Sequence, residues 1–256
     1  MPQTVKRLLR SLAFLTRLPP VSSAFDHGPH PLGKDVAAFP VAGMIAAFPA
    51  SLVLLLLPHL GISGLLTAVL AVAIAVWTTG ALHEDGLGDV ADGLFGHLPP
   101  ERAVAVMKDS RVGTYGALAL VFSVMGRVAI FAELIAISPI AAALGALGAA
   151  ALSRGLMALL WASLPTADQG GLAESVGQPN RQDAGVALAI GTTIFVLLAG
   201  LGVGLGFALL ALTFAVMKFA SFRLWLKRRL GGQTGDTLGA VQQLTEIAAL
   251  FGLCFA

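Results

Sequence analysis

Residues 37–58 read AAFPVAGMIAAFPASLVLLLLP and contain no charged side chain. A stretch of about 20 mostly apolar residues is long enough to cross the hydrocarbon core of a bilayer as one α-helix. Six more stretches have the same character, and we predict that they also span: 63–82, 112–137, 139–161, 184–205, 206–224 and 238–256. The sequence therefore predicts an all-α fold, a polytopic integral membrane bundle of about seven transmembrane helices.

The composition of the whole chain supports this interpretation. Of its 256 residues, 57% are hydrophobic and 12% are charged, and the mean hydropathy is +0.86, whereas a soluble domain has roughly 25% charged residues. The pI near 9.0 comes from scattered Lys and Arg without a basic and aromatic stripe, so we expect no nucleic-acid partner. The single cysteine, Cys254, can form no internal disulfide. We predict one membrane domain over residues 1–256.

The N-terminal segment does not have the pattern of a signal peptide. Leu8, Leu12 and Leu15 lie on one helical face, and Arg17 interrupts any apolar core, so we predict an amphipathic helix at the membrane interface. Lys and Arg concentrate in four polar segments: 1–36, 83–111, 163–183 and 225–237. By the positive-inside rule these segments are cytoplasmic, which predicts a working face on that side of the membrane.

The first polar motif, HEDGLGDVADG, covers residues 83–93. Asp85, Asp89 and Asp92 follow at i, i+4 and i+7, so a helix brings their carboxylates within a narrow sector, where like charges repel. Hard oxygen ligands at this spacing suit Mg²⁺ or Mn²⁺, and we predict a metal site; the alternative is a solvated acidic loop. His83 borders the carboxylates and is a candidate proton relay, although a lone histidine at a membrane edge is often an interfacial residue.

The second motif, MKDSRVGTYG, covers residues 107–116 and leads into the third predicted span. Asp109 is a candidate fourth metal ligand, and Arg111 can hold a phosphate through its planar fork of donors. The competing interpretation is that Asp109 and Ser110 cap the following helix.

The third motif, LGGQTGDTLG, covers residues 230–239 and follows three basic residues, 227–229. Closely spaced glycines with Thr234 ahead of a helix offer backbone N–H groups and a positive helix end to a phosphate. The alternative is that Asp236 caps the helix and the basic residues anchor the chain to the membrane. Arg154, within a span, lies close enough to the cytoplasmic half to reach a phosphate as well.

Six short motifs together resemble the cobalamin synthase family in order and approximate spacing, along nearly the whole chain. They are FLTRLPP at 14–20, AFPVAG at 38–43, ALSRG at 151–155 and the three motifs described above. The most specific of them are the aspartate run, DSRVGTYG and GGQTGDTLG.

The resemblance implies a transferase that joins alpha-ribazole, or its 5'-phosphate, to adenosylcobinamide-GDP and releases GMP late in coenzyme B12 assembly. It also implies Mg²⁺ as cofactor, a cytoplasmic active face in the bacterial cell inner membrane, and other membrane-bound corrinoid enzymes as partners. Membrane lipids surround the spans. The sequence leaves the oligomeric state open.

The roles that the resemblance implies fall on three groups of residues. Mg²⁺ is assigned to Asp85, Asp89, Asp92 and Asp109, catalysis to Asp85, Asp89, Asp92 and His83, and substrate binding to Arg111, Arg154, Gly232, Gln233, Thr234 and Asp236. The sequence does not choose between His83 and an aspartate as the group that removes the proton of the attacking hydroxyl. It also leaves open the roles of Glu84, Gln243 and Glu246.

Two other protein classes share part of the pattern. CDP-alcohol phosphotransferases also use several aspartates at a membrane face, but their motif has an Ala-Arg pair where this chain has Leu87 and Gly88. Transporters place ionisable residues and broken helices near the bilayer midplane, whereas these aspartates cluster at helix ends and in loops. Both classes remain alternatives to the ribazole-transfer interpretation.

Overall fold

The computed structural model describes residues 1–25, 30–96, 98–168 and 176–256. Within these ranges the chain forms ten α-helices, three short 3-10 helices and no β-strand. The α-helices are α1 (Gln3–Leu15), α2 (Phe39–His59), α3 (Gly64–Thr79), α4 (Leu82–Phe95), α5 (Pro100–Met107), α6 (Thr114–Ile137), α7 (Pro139–Ser163), α8 (Arg181–Val203), α9 (Leu205–Arg229) and α10 (Gly235–Leu253). The predicted all-α fold is confirmed.

Five helices of the described chain, α2, α6, α7, α8 and α9, are long and apolar enough to cross a membrane. Helix α7 is the most buried of them: 83% of its apolar stretch lies inside the bundle, against 22% for α8. Small residues explain this position because they let neighbouring helices approach closely. A Cβ added at Gly155 of α7 would lie 2.9 Å from the carbonyl oxygen of Ala187 in α8.

Within the described residues, fewer than the predicted seven helices are long and apolar enough to qualify as membrane spans. Segment 63–82 forms α3, which has 16 residues and is followed by α4 after a bend of 90°, so the two helices make at most one broken span. Segment 238–256 falls mostly in α10, which buries Gln242, Gln243 and Thr245 and does not pass as an apolar span. The polar side chains lower the mean hydropathy of α10, and they are buried because other helices surround them. By length and composition, five helices of the described residues qualify as spans, or six with the bent pair.

The bend between α3 and α4 has a backbone cause. Gly80 and Ala81 both have positive φ, 66° and 60°, the left-handed conformation that ends a helix. The FLTRLPP motif packs at this corner, where the N–H of Arg17 donates to the carbonyl of Thr78 at 2.9 Å. Helix α4 therefore turns away from α3 and packs against α5, α6 and α10.

The N-terminal segment forms the predicted amphipathic helix, α1, but one of its basic residues is not at the surface. Arg10 is buried, and its Nε lies 2.6 Å from Oδ2 of the fully buried Asp35. This ion pair fastens α1 to the chain just before α2. Of the predicted polar segment 163–183, residues 169–175 lie outside the described residues.

Candidate active site

A cavity of about 480 Å³ opens between the starts of α4 and α10. These two helices contribute the side that carries His83, Asp85 and Asp236, and its lining residues are Leu82, His83, Asp85, Gly86, Gly235, Asp236, Leu238 and Gly239. The remaining walls come from α1, the start of α2, the end of α5, α7 and two residues between α7 and α8: Phe14, Leu15, Phe39, Met107, Lys108, Met157, Trp161, Asp168 and Val176. A concave site with a charged side and an apolar side suits a ligand that has both kinds of surface.

Two glycines allow α4 and α10 to touch beside this cavity. A Cβ at Gly86 would lie 2.6 Å from the carbonyl oxygen of Asp236, and a Cβ at Gly239 would lie 3.3 Å from the Cα of His83. Backbone atoms cannot rotate away as side-chain ends do, so a side chain at position 86 would push the two helices apart. The first and third polar motifs therefore meet through glycine.

Three carboxylates of this region share a surplus of negative charge. Asp85 and Asp236 line the cavity, and Asp89 is repelled by both of them. Burial raises the pKa of Asp236 above its ordinary value, and the charge of Asp85 adds to the effect. Among the ion pairs of the described residues, none includes any of these three carboxylates.

The other two aspartates predicted as metal ligands already have protein partners. Asp92 accepts hydrogen bonds from the N–H groups of Gly113, at 2.7 Å, and Gly116, at 2.8 Å, and so holds the start of α6. Asp109 pairs with Arg111, whose Nη2 lies 2.6 Å from Oδ2. Hydrogen bonding from this guanidinium lowers the pKa of Asp109 to about 2. The Arg111 side chain is 87% exposed and forms part of the surface, not of the cavity lining.

In the described part of the chain, no group of three or more His, Cys, Asp or Glu side chains is arranged so that it could hold a metal ion. The chemistry of Asp85, Asp89 and Asp236 nevertheless fits a hard cation, because carboxylate oxygens are the ligands that Mg²⁺ prefers and their mutual repulsion needs a positive charge. The Mg²⁺ assignment stays a prediction. Asp236, which was predicted from the sequence only as a substrate-binding residue, is an additional candidate ligand.

The loop before α10 is held by backbone contacts. The N–H of Gln233 donates to the carbonyl of Pro165, and its carbonyl accepts from the N–H of Ala167, both at 2.8 Å. Gly232 and Gln233 are buried in this contact, and Thr234 caps α10 through its hydroxyl. These three predicted substrate contacts shape the loop, whereas Asp236 lines the cavity itself.

His83 and Arg154 are both buried, but they occupy different places. His83 is 1% exposed, lines the cavity, and has no hydrogen-bond partner on either ring nitrogen among the described residues. Arg154 lies behind it, with Nη1 2.7 Å from Oε2 of Glu246, and lines a smaller inner cavity. The structure thus brings His83, Asp85 and Asp236 to one site and places Arg154 in the interior of the bundle.

Comparison with known proteins identifies the family. Residues 7–254 match the cobalamin-5-phosphate synthase family. The chain belongs to this family. An adenosylcobinamide-GDP ribazoletransferase from Sinorhizobium sp is 46% identical over 249 residues, which cover 95% of this chain and 94% of the relative. Proteins of the same name from Allorhizobium ampelinum and Brucella ovis are 45% and 42% identical; the matches cover 98% and 97% of this chain and 97% and 96% of those proteins. No solved structure matches the chain.

This cobalamin-5-phosphate synthase family member has an ion pair at the cavity that was not predicted from the sequence. Lys108 Nζ lies 2.6 Å from Oδ1 of Asp168, and both residues line the site. The position of Lys108 next to Asp109, inside the second motif, was a usable signal. Asp168 gave none, because only the folded chain brings the segment after α7 to α5.

The aromatic wall of the site was missed as well. The rings of Phe14 and Phe39 are stacked with centroids 6.3 Å apart, and Phe39 lies 6.5 Å from Trp161. The first two residues belong to the FLTRLPP and AFPVAG motifs that carried the family resemblance, so their apolar role could have been predicted from those motifs. Trp161 lies within a predicted span and outside these motifs, so the sequence does not indicate a place for it at the cavity.

Proposed function

We propose that the protein is an adenosylcobinamide-GDP ribazoletransferase, which joins alpha-ribazole or its 5'-phosphate to adenosylcobinamide-GDP and releases GMP. The observation that carries this proposal is the cavity in which His83, Asp85 and Asp236 face an aromatic wall, in a chain whose relatives bear that name. The charged side suits a pyrophosphate with its cation, and the apolar side suits part of a large corrinoid.

The proposed reaction is a displacement at phosphorus. A ribose hydroxyl oxygen of alpha-ribazole forms a bond to the phosphorus that carries the cobinamide arm. The bond from this phosphorus to the bridging oxygen breaks, and GMP leaves with the electron pair. The hydroxyl proton passes to a base on the protein. Such reactions are accelerated mainly by positioning and by stabilisation of charge on the phosphoryl oxygens.

We propose His83 as the first candidate for the base, with an aspartate of the same helix as the alternative. Its two ring nitrogens are free of hydrogen bonds to the described protein groups, so one of them is available to accept a proton. Asp85, two residues later, is next to the same cavity and would accept the proton if His83 only shapes the wall.

We propose that Asp85 and Asp89 hold Mg²⁺, with Asp236 as the third donor. Asp92 and Asp109 would add ligands only through the lone pairs that the hydrogen bonds described above leave free. When bound, Mg²⁺ supplies positive charge to the pyrophosphate and to the departing GMP. Lys108, at the edge of the cavity, places a second positive charge within reach of a phosphate.

We place this cavity at the cytoplasmic face of the bacterial cell inner membrane. The basic residues at the end of α9 and the ion pair of Lys108 lie in the polar segments predicted to be cytoplasmic. Membrane lipids would cover the exposed apolar side chains of α6, α8 and α9. We expect other membrane-bound corrinoid enzymes as neighbours, which crosslinking in native membranes tests, together with self-association.

The proposal is tested by GMP release from adenosylcobinamide-GDP, with alpha-ribazole or its 5'-phosphate and Mg²⁺, by the protein purified in detergent. We expect corrinoid product from the wild type, loss of activity with EDTA, and loss with Asp89→Ala. Glu101→Gln, which changes an exposed carboxylate on α5 outside the cavity lining, is the control and should remain active. Turnover that survives both EDTA and Asp89→Ala would contradict the metal site. An absence of turnover with either ribazole form would contradict the proposed reaction.

A further inference from the structure

Two buried ion pairs lie behind the cavity, in the interior of the helical bundle. Nη2 of Arg127, on α6, lies 2.8 Å from Oε1 of Glu84, on α4. Nη1 of Arg154, on α7, lies 2.7 Å from Oε2 of Glu246, on α10. The four side chains are between 3% and 14% exposed. Buried charges are costly unless they are paired, so the match of two arginines with two carboxylates is a requirement of this interior.

The side-chain amide of Gln243 connects the Arg127–Glu84 pair to α10. Nε2 of Gln243 donates to Oε1 of Glu84 at 3.3 Å, and Oε1 of Gln243 accepts from the hydroxyl of Ser123 at 3.2 Å. Ser123 lies on α6, one turn before Arg127. Positions 84, 127 and 243 therefore form one junction of three helices, and their side chains line the same small inner cavity.

The hold of Arg127 on Glu84 depends on charge more than on hydrogen-bond direction. Nη2 of Arg127 is close to the carboxylate but is not aligned with it as a hydrogen-bond donor, and Nε of Arg127 and Oε2 of Glu84 also lack partners among the described residues. Coulomb attraction varies with distance and tolerates such misalignment. The junction thus needs a carboxylate near Arg127 more than it needs a particular geometry.

This junction is coupled to the cavity through consecutive residues of α4. Glu84 lies between His83 and Asp85, which both line the cavity. His83 also lines a small inner cavity of about 30 Å³, together with Glu84, Arg127, and the Arg154–Glu246 pair. Whatever fixes the side chain of Glu84 therefore fixes the first turn of α4, from which His83 and Asp85 project.

We propose that Glu84 is a positioning residue, whose pairing with Arg127 sets the place of His83 and Asp85 at the cavity. We also infer that the junction requires one carboxylate, which position 243 can supply instead of position 84. The inference rests on the proposed function for its activity readout, and on the ion pair alone for its stability readout.

The test compares Glu84→Gln with the exchanged variant Glu84→Gln/Gln243→Glu, both in the full-length protein in detergent. Glu84→Gln leaves Arg127 without its carboxylate, so we expect a lower thermal midpoint and a kcat for GMP release lowered by roughly 10- to 100-fold, with a smaller change in the KM for the corrinoid. The exchanged variant restores the carboxylate to the junction and should recover most of both losses.

A matched control breaks another buried pair. Asp35→Asn removes the partner of Arg10 and should also lower the thermal midpoint, but adding Gln243→Glu should not restore it. An unchanged kcat in Glu84→Gln would overturn the positioning role. So would an exchanged variant that recovers the thermal midpoint but not kcat. A double variant that recovers neither would overturn the exchange. If the wild type releases no GMP, the proposed function fails, while the thermal midpoints still decide whether position 243 replaces position 84.

Discussion

Two neighbouring carboxylates of α4 have opposite surroundings. Glu84 points into the bundle, where Arg127 neutralises it, whereas Asp85 points into the cavity and has no ion-pair partner among the described residues. Glu246 resembles Glu84, and Asp89 and Asp236 resemble Asp85. The chain therefore pairs its interior carboxylates and leaves the cavity carboxylates to repel one another. Unpaired charge at a concave site is a sign of ligand binding, because the repulsion lowers the stability of the fold and the charges hold no part of the structure together.

The largest expected effect comes from removing a charge on the cavity side. Asp85→Asn should lower the rate of GMP release by roughly 10²- to 10³-fold, because it removes a carboxylate that we propose as a Mg²⁺ ligand at the phosphate. The same change relieves repulsion with Asp89 and Asp236, so the thermal midpoint should stay constant or rise. Rate and melting are measured on the same preparation. If the variant loses activity and stability together, Asp85 stabilises the fold as Glu84 does, and the contrast between the two carboxylates is wrong.

A smaller effect is expected from separating the two helices that bear the cavity carboxylates. Gly86→Ala places a Cβ against the backbone of Asp236 and should lower stability by about 1–3 kcal/mol and activity by roughly tenfold or more. Gly88→Ala is the matched control on the same helix, where the atoms nearest to the added Cβ belong to the side chain of Leu120, at the ordinary contact distance of 3.5 to 3.8 Å. Denaturation and GMP release measure both variants, and equal behaviour of the two would show that the contact at position 86 does not matter.

Asp92 should behave as a helix cap. Asp92→Ala removes the acceptor of the Gly113 and Gly116 N–H groups and should destabilise the protein by about 1 kcal/mol. Denaturant titration measures this loss, and GMP release by the folded variant should fall far less than in Asp85→Asn. An activity loss as large as that of Asp85→Asn, with unchanged stability, would instead make Asp92 a ligand.

The smallest effect is a dependence of stability on pH. Burial raises the pKa of Asp236 in the folded protein above its ordinary value of 3.8. At a pH between the ordinary pKa and the raised pKa, the folded protein holds a proton that the unfolded chain has lost. Stability should therefore fall as pH rises through this window. We expect Asp236→Asn to flatten this part of the curve of thermal midpoint against pH in metal-free detergent. Parallel curves for the wild type and the variant would contradict the assignment.

The apolar spans could be predicted because hydropathy is a local property of the sequence. The bend before α4 could not, since the positive φ of Ala81 has no signature in residue type. The apolar run 63–82 continues to the bend, and only packing shows where the helix stops. For α10, Gln242 and Gln243 are tolerated because other helices surround them, a fact that depends on the whole fold.

The candidate site was predicted in its residue types more than in its partnerships. Asp85 and Asp236 were singled out from separate motifs, and the structure brings both to one cavity. The sequence could not distinguish them from Asp92, whose carboxylate holds the start of α6. Nor could it show that Arg154 already has Glu246 as its partner. Residue type indicates which chemistry a side chain can perform, whereas the fold decides which of its atoms are already engaged.

The length of α3 has a consequence for where the reaction takes place. Its 16 residues rise about 24 Å, less than the roughly 30 Å thickness of a hydrocarbon core. Because α4 begins directly after the bend, the aspartates of α4 lie, measured along the axis of α3, no further than the length of α3 from the end at which α3 begins. We therefore expect the proposed reaction to take place close to the edge of the hydrocarbon core, where a membrane-associated corrinoid would meet its nucleotide without leaving the bilayer surface.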